Sequence, residues 1–192
     1  MYKLCKTEHS ANRQRALEDG LLEAMSAHHY DELSVSDLCD RMGIPRKSFY
    51  RYFSGKEGAL HALLDHTLME FEPFALSFSG SGSRTIHSEM MLFFRFWLLK
   101  KSLLDALQRS GLSDLLISRA ILYASSDAVI PQRFMPDRNQ EQRAHTTTFV
   151  VSGLLSLVLK WHHEGYPQSV SQMAELGVRL MTQPLFPNLH LI

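Results

Sequence analysis

Apolar residues recur at three- and four-residue steps along most of the chain. Leu17, Leu21, Ala24, Met25 and His28 fall on one face and predict a first helix. Ser34 with Asp37 three residues on has the form of a capping box and opens a short second helix through Met42. Gly43 ends it, as a turn needing permissive backbone would. Pro45 suits the start of a third helix, roughly Arg46 to Tyr52, because its missing N–H costs little there. A second box, Ser54 with Glu57, predicts a fourth helix through about Phe74. "SFSGSGSR", Ser77 to Arg84, reads as a flexible link. Beyond it "IHSEMMLFFRFWLL", "LLDALQRSGL" and "SDLLISRAILYASS" are helix-like, and "IPQRFMPDRN" is a loop with two prolines. A long apolar helix runs from about Gln140 to His163 and is ended by Gly165 and Pro167. Ser169 with Gln172 opens the last helix. No segment alternates with period two for long enough to argue for a strand. The pattern predicts an all-α chain of about nine helices, divided as 1–55, a connecting helix 56–76, and 77–192.

Composition changes this picture little. The hydrophobic share is 45% and the charged share 21%, ordinary for a folded protein. Formal net charge is zero, so any affinity for nucleic acid must come from a local cluster. Cys5 and Cys39 give no disulfide framework, and a reducing, cytoplasmic setting fits them. The opening "MYKLCKTEHSANRQR" lacks the apolar core of a signal peptide. The longest nearly pure apolar run, Phe149 to Leu159, is too short to span a bilayer, and no membrane partner is expected.

The local cluster exists. From Arg41 to Lys56 there are five basic residues and no acidic one, whereas residues 1–60 as a whole carry nine of each sign. Two short helices joined through "MGIP" make a helix-turn-helix. In such a unit the second helix lies in the major groove with its N-terminal residues at base edges, which assigns Arg46, Lys47 and Ser48 to the bases. Tyr50 and Arg51 lie farther round, toward backbone phosphates, and Lys56 opens the fourth helix, where free N–H groups favour an anion. Phe49 and Phe53, four apart, belong to the core. The same spacing also serves as plain packing, so it leaves DNA reading open.

"YDELSVSDLCDRMGIPRKSFYRYFSGKEGALHALL", Tyr30 to Leu64, closely resembles the DNA-binding domain of the tetracycline-repressor (TetR/AcrR) family of bacterial regulators. The matching features are "SVSDL", the Gly43-Ile44 turn, "SFYRYF", and Lys56-Glu57 followed by Leu60. The resemblance covers about 35 residues, or about 55 with the first helix. It implies that Arg46, Lys47, Ser48, Tyr50 and Lys56 occupy DNA-contact positions, with Arg51 a plausible addition. The chain departs from the pattern at His29, where Gly is frequent, at Met25 (Phe) and at Ala59 (Leu). Gly55 and Gly58 are expected to loosen the start of helix four.

The resemblance further implies a helical C-terminal domain that senses an effector and whose last two helices pair with a second subunit. Phe149, Ser152, Gly153, Ser156, Leu157, Met173, Leu176 and Leu180 are the candidate interface. Candidate pocket residues are Met90, Phe94, Arg95, Trp97, Leu107, Leu116, Tyr123 and Phe134, although an aromatic or Met at helical spacing is more often core filling. Arg95 lies in an apolar run and must be paired or reach solvent. "WHHEGYP", Trp161 to Pro167, resembles a subgroup that includes the activator of a dihydroxyacetone kinase operon, in which the signal can come from a partner protein. His162 and His163 point apart on a helix, as do His61 and His66, so no metal or other cofactor is expected. An enzymatic reading finds no Gly-rich phosphate loop, His-Glu metal motif or nucleophile elbow. The expected partners are a double-stranded DNA operator, a second copy of the chain, and a small-molecule effector or partner protein.

Overall fold

The computed structural model describes residues 1–78, 85–126 and 139–183. Its helices are α1 Glu8–Ala27, α2 Val35–Met42, α3 Arg46–Tyr50, α4 Lys56–Met69, α5 Phe71–Ser77, α6 Ile86–Leu99, α7 Lys101–Arg109, α8 Ser113–Ser126, α9 Gln140–His163 and α10 Val170–Thr182. A 3-10 turn, Tyr30–Glu32, joins α1 to α2. No strand forms among the described residues; one isolated antiparallel bridge links Tyr2 and Phe53. The fold is all-α. Most of the Ser77–Arg84 link, the two-proline loop as far as Arg138, and Phe134 lie outside the described residues.

Capping chemistry sets several of the boundaries. The Ser34 hydroxyl accepts from the Asp37 N–H at 3.2 Å, and Asp37 accepts from the Ser34 N–H at 2.9 Å. The same reciprocal box forms at Ser169 and Gln172. The box expected at Ser54 and Glu57 does not form. Gly55 caps α4 without a side-chain bond, and the Ser54 hydroxyl donates to the Met1 carbonyl at 2.8 Å. Nor does the fourth helix reach Phe74. Pro73 has no N–H, and its ring would meet the carbonyl of Met69, so α4 stops at Met69 and α5 starts afresh. At His29 no left-handed residue is needed. His28 ends α1 in extended backbone and His29 caps the 3-10 turn.

One continuous core joins all the helices. Around the N-terminal helices it contains Leu21, Met25, Leu38, Phe49, Phe53 and Leu64; farther along the chain it contains Phe94, Trp97, Leu104, Leu107, Leu116 and Trp161. α1 packs on α2, α4 and α7, α4 on α8, α8 on α9, and α10 on α6. Gly177 allows the last approach: a Cβ there would lie 3.2 Å from Met90 Sδ and 3.3 Å from Phe94 Cε2. Among the described residues no helix is long and apolar enough to cross a membrane.

Candidate nucleic-acid interface

The α2–α3 unit is built around Gly43, whose φ of 63° is the left-handed conformation that a side chain resists. The Ile44 N–H donates to the Cys39 carbonyl at 3.0 Å and closes the turn. Leu38 and Cys39 are buried against the core, and burial pushes the Cys39 thiol pKa up while the Arg46 charge opposes it. Pro45 adopts φ −65° and its carbonyl accepts from the Ser48 N–H at 2.8 Å. Pro45 thus precedes the first helical residue by one position.

Phe49 orients the recognition helix. It is fully buried, 5.1 Å from the Phe53 ring, as expected for core residues. With Phe49 turned inward, Arg46, Lys47, Tyr50 and Arg51 are exposed and Ser48 is half-buried. No hydrogen bond or ion pair among the described residues holds the side chains of Arg46, Lys47 or Arg51. These cations are therefore free to meet an external anion. Arg41 differs: its Nη2 lies 2.7 Å from His28 Nε2.

Lys56 is not free in that sense. Its ammonium donates to the Tyr30 carbonyl at 2.9 Å and the Asp31 carbonyl at 3.3 Å, and sits 4.5 Å above the Tyr30 ring. It braces the 3-10 turn instead of projecting outward. Burial, then the nearby carboxylates of Glu57 and Asp31, raise the Tyr30 phenol to about 12.

The joint between the N-terminal helices and the rest is dense with polar contacts. Arg109 of α7 donates to the carbonyls of Met25 and Ser26, which satisfies the C-terminal end of α1. The Tyr30 N–H donates to the Ser110 hydroxyl at 3.1 Å. Glu18, 1% exposed, has both oxygens 2.9 Å from His66 Nδ1. Glu70 accepts from Arg15 of α1 and from Lys100 at the α6–α7 junction. These pairs join residues far apart in the chain, and no local spacing announces them. Glu18 carried the available signal: a carboxylate one step from Leu17 and three from Leu21, in an otherwise apolar stripe.

Of the candidate pocket residues, Met90, Phe94, Trp97, Leu107 and Leu116 are buried in the core, and Tyr123 is half-buried. Arg95 reaches solvent, with its guanidinium 4.6 Å above the Phe78 ring. Of the candidate interface residues, Phe149 is 70% exposed, Gly153 and Ser156 are exposed on the same stripe of α9, and Leu180 is 39% exposed. Ser152, Leu157 and Leu176 are half-buried. Met173, at 3% exposure, packs into the subunit's own core and is not available to a partner. His162 is taken up by Asp105, with Nε2 2.8 Å from Oδ1, and His163 by Gln108 at 2.8 Å. Among the described residues no group of three or more His, Cys, Asp or Glu is placed to hold a metal.

Residues 19–63 match the family described as "Bacterial regulatory proteins, tetR family". A search of curated proteins gives no significant match. Solved structures share the fold over nearly the whole chain. The fatty acid degradation regulator FadR from Bacillus halodurans aligns with TM-score 0.62 at 12% identity, covering 95% of this chain and 98% of that one. A TetR-family regulator from Syntrophomonas wolfei aligns with TM-score 0.62 at 14% identity, covering 93% and 99%. The dihydroxyacetone kinase operon activator DhaS aligns with TM-score 0.58 at 15% identity, covering 88% and 93%.

Proposed function

Because the chain belongs to the TetR/AcrR family of bacterial transcriptional regulators, we propose that it binds a palindromic double-stranded operator as a homodimer, under the control of an effector acting on its C-terminal part. The observation that carries this reading is the leading edge of α3, where Arg46 and Lys47 are exposed and unpartnered beside a fully buried Phe49. In this account residues 1–55 are the reading head, 56–76 the connector and 77–192 the sensing and pairing body. Arg46, Lys47 and Ser48 face base edges; Arg and Lys suit guanine O6 and N7. Tyr50 and Arg51 engage phosphates, which give affinity and register. Lys56 positions the head by holding the Tyr30–Glu32 turn and makes no phosphate contact.

Pairing uses the α9 stripe of Phe149, Gly153 and Ser156 with Leu157 and, on α10, Leu176 and Leu180. Small residues on that stripe allow the close approach that a four-helix interface requires. Two heads then enter successive major grooves about 34 Å apart. An effector that favours one head separation shifts the population toward that state. A small molecule within the body is the first form of effector. A partner protein on its surface is the second, and the burial of Phe94, Trp97, Leu107 and Leu116 in the subunit's own core favours it.

Selection of bound fragments from a random DNA library tests the reading. It should return two inverted half-sites. Arg46→Ala should relax sequence choice at one position of each half-site, and Tyr50→Phe should weaken binding to all sequences alike. If neither substitution changes binding, the contact assignment is wrong.

A further inference from the structure

The segment ahead of α1 has no part in the contacts assigned so far, yet it touches the end of the recognition helix. The Lys3 N–H donates to the Tyr52 carbonyl at 2.9 Å, and the Ser54 N–H donates to the Met1 carbonyl at 3.1 Å. Between them Tyr2 pairs with Phe53 in the antiparallel bridge. The segment lies directly on the first turn of α4. A Cβ on Gly58 would stand 2.4 Å from the Met1 carbonyl oxygen, so the approach requires glycine. Gly58 therefore admits the segment and does not merely loosen the helix. On the other side Gln14 of α1, 2% exposed, donates to the Lys3 carbonyl at 3.1 Å and accepts from Cys5 Sγ at 2.9 Å.

The Tyr2 side chain runs inward. Its hydroxyl donates to Asp65 Oδ2 at 2.7 Å, and its ring stands edge-on to His66 at 5.6 Å. Asp65 of α4 is 7% exposed and also accepts from Arg119 of α8, at 2.7 Å from Nε and through Nη2. Burial and the bond to Asp65 push the Tyr2 phenol well above its ordinary range, so it stays a donor at any physiological pH. A continuous chain of bonds thus leads from α8 through α4 and the Tyr2 segment to the backbone of Tyr52 and Ser54. α3 has only five helical residues, too few to hold its direction by its own hydrogen bonds. The buried Phe49 fixes which face of α3 turns inward, and the contacts at its ends constrain its tilt.

We propose that residues 1–5 form a strap that fixes the tilt of the recognition helix relative to the body, with Tyr2 and Arg119 as positioning residues for DNA reading. The proposal rests on the operator reading above. In a dimer, head tilt decides which half-site spacing both heads can meet. Moving one half-site by a single base pair shifts it about 3.4 Å along the duplex and rotates it by roughly 35°. A rigid head resists that shift, and a head freed from the strap accommodates it.

The test is selection on full-length protein from a random DNA library, followed by titration of the recovered operator and of versions with one base pair added or removed between half-sites. Wild type should bind the selected spacing about tenfold or more tighter than either altered version. Tyr2→Phe, Arg119→Lys and Gly58→Ala should keep the same half-site sequence but reduce that preference to about twofold. Gly58→Ala guards against a variant that simply unfolds, since alanine favours the helix while displacing the segment. General loss of stability would weaken binding at every spacing equally. An unchanged spacing preference in all three variants overturns the strap and leaves the operator reading standing. A library that yields no enriched sequence overturns both.

Discussion

Lys56 and Arg51 are both cations near α3, and the structure gives them different surroundings, from which the operator reading proposed above derives different duties. Arg51 is exposed and unpartnered, whereas the Lys56 ammonium is spent on two backbone carbonyls and an aromatic ring. Counterion release separates the two. Each phosphate neutralised adds about 0.9 to the slope of log affinity against log salt. Under the proposed reading Arg51→Gln removes one such contact from each of two heads, so the slope should fall by about 1.8 for a dimer. Between 50 and 200 mM salt that difference amounts to roughly tenfold in relative affinity. Lys56→Met removes no phosphate contact, so its slope should match wild type. Its cost appears elsewhere. Loss of the charge-assisted bonds to Tyr30 and Asp31 should destabilise the head by about 1–2 kcal/mol, visible as a fall of several degrees in Tm. Fluorescence-anisotropy titrations of the selected operator at four salt concentrations, with thermal melts in parallel, measure both effects. A Lys56→Met slope reduced as much as that of Arg51→Gln would refute the assignment, because it would put the ammonium on a phosphate.

Three further outcomes follow from the geometry. His66→Ala leaves Glu18, 1% exposed, without its main partner and should cost about 3 kcal/mol in chemical denaturation, whereas His66→Gln retains a donor and should cost less. The Ser34 hydroxyl and backbone N–H hold the Asp37 carboxyl below its ordinary pKa, so its contribution to stability is full above pH about 4 and fades as pH falls through the lowered value. Asp37→Asn should therefore lower Tm at neutral pH and make no difference in strong acid, as measured by melts across pH. Phe149→Glu places a charge on the exposed α9 stripe and, under the proposed pairing, should leave the protein monomeric in sedimentation where wild type sediments as a dimer, without altering the helical content seen by circular dichroism.

The helices were legible in the sequence wherever the determining residues are close together. Periodicity placed α1 and α9, reciprocal caps placed the starts of α2 and α10, and Gly43 marked the turn between α2 and α3. The break at Glu70 was equally local, since Pro73 excludes the carbonyl of Met69, but the apolar pattern running through Phe74 masked it. The failure at Ser54 was not local: its hydroxyl is taken by Met1, far away in sequence. Lys56 shows the same limit, because its position at the start of α4 suggested an anion while the carbonyls of a turn some 25 residues earlier claim it. The exposure of Arg46 and Lys47 could be anticipated from one helix alone. The joints that orient that helix, Glu18 with His66 and Asp65 with Tyr2 and Arg119, depend on which helices meet, and no spacing rule contains that information.

Photo-cross-linking tests most directly whether the leading edge of α3 enters the groove. A photoreactive group installed in place of Lys47, and in a control in place of Leu122 on the exposed side of α8, is irradiated with the selected operator. The account predicts cross-links from position 47 to bases of both half-sites and none from position 122. Cross-links from position 122 alone, with position 47 silent, would contradict it.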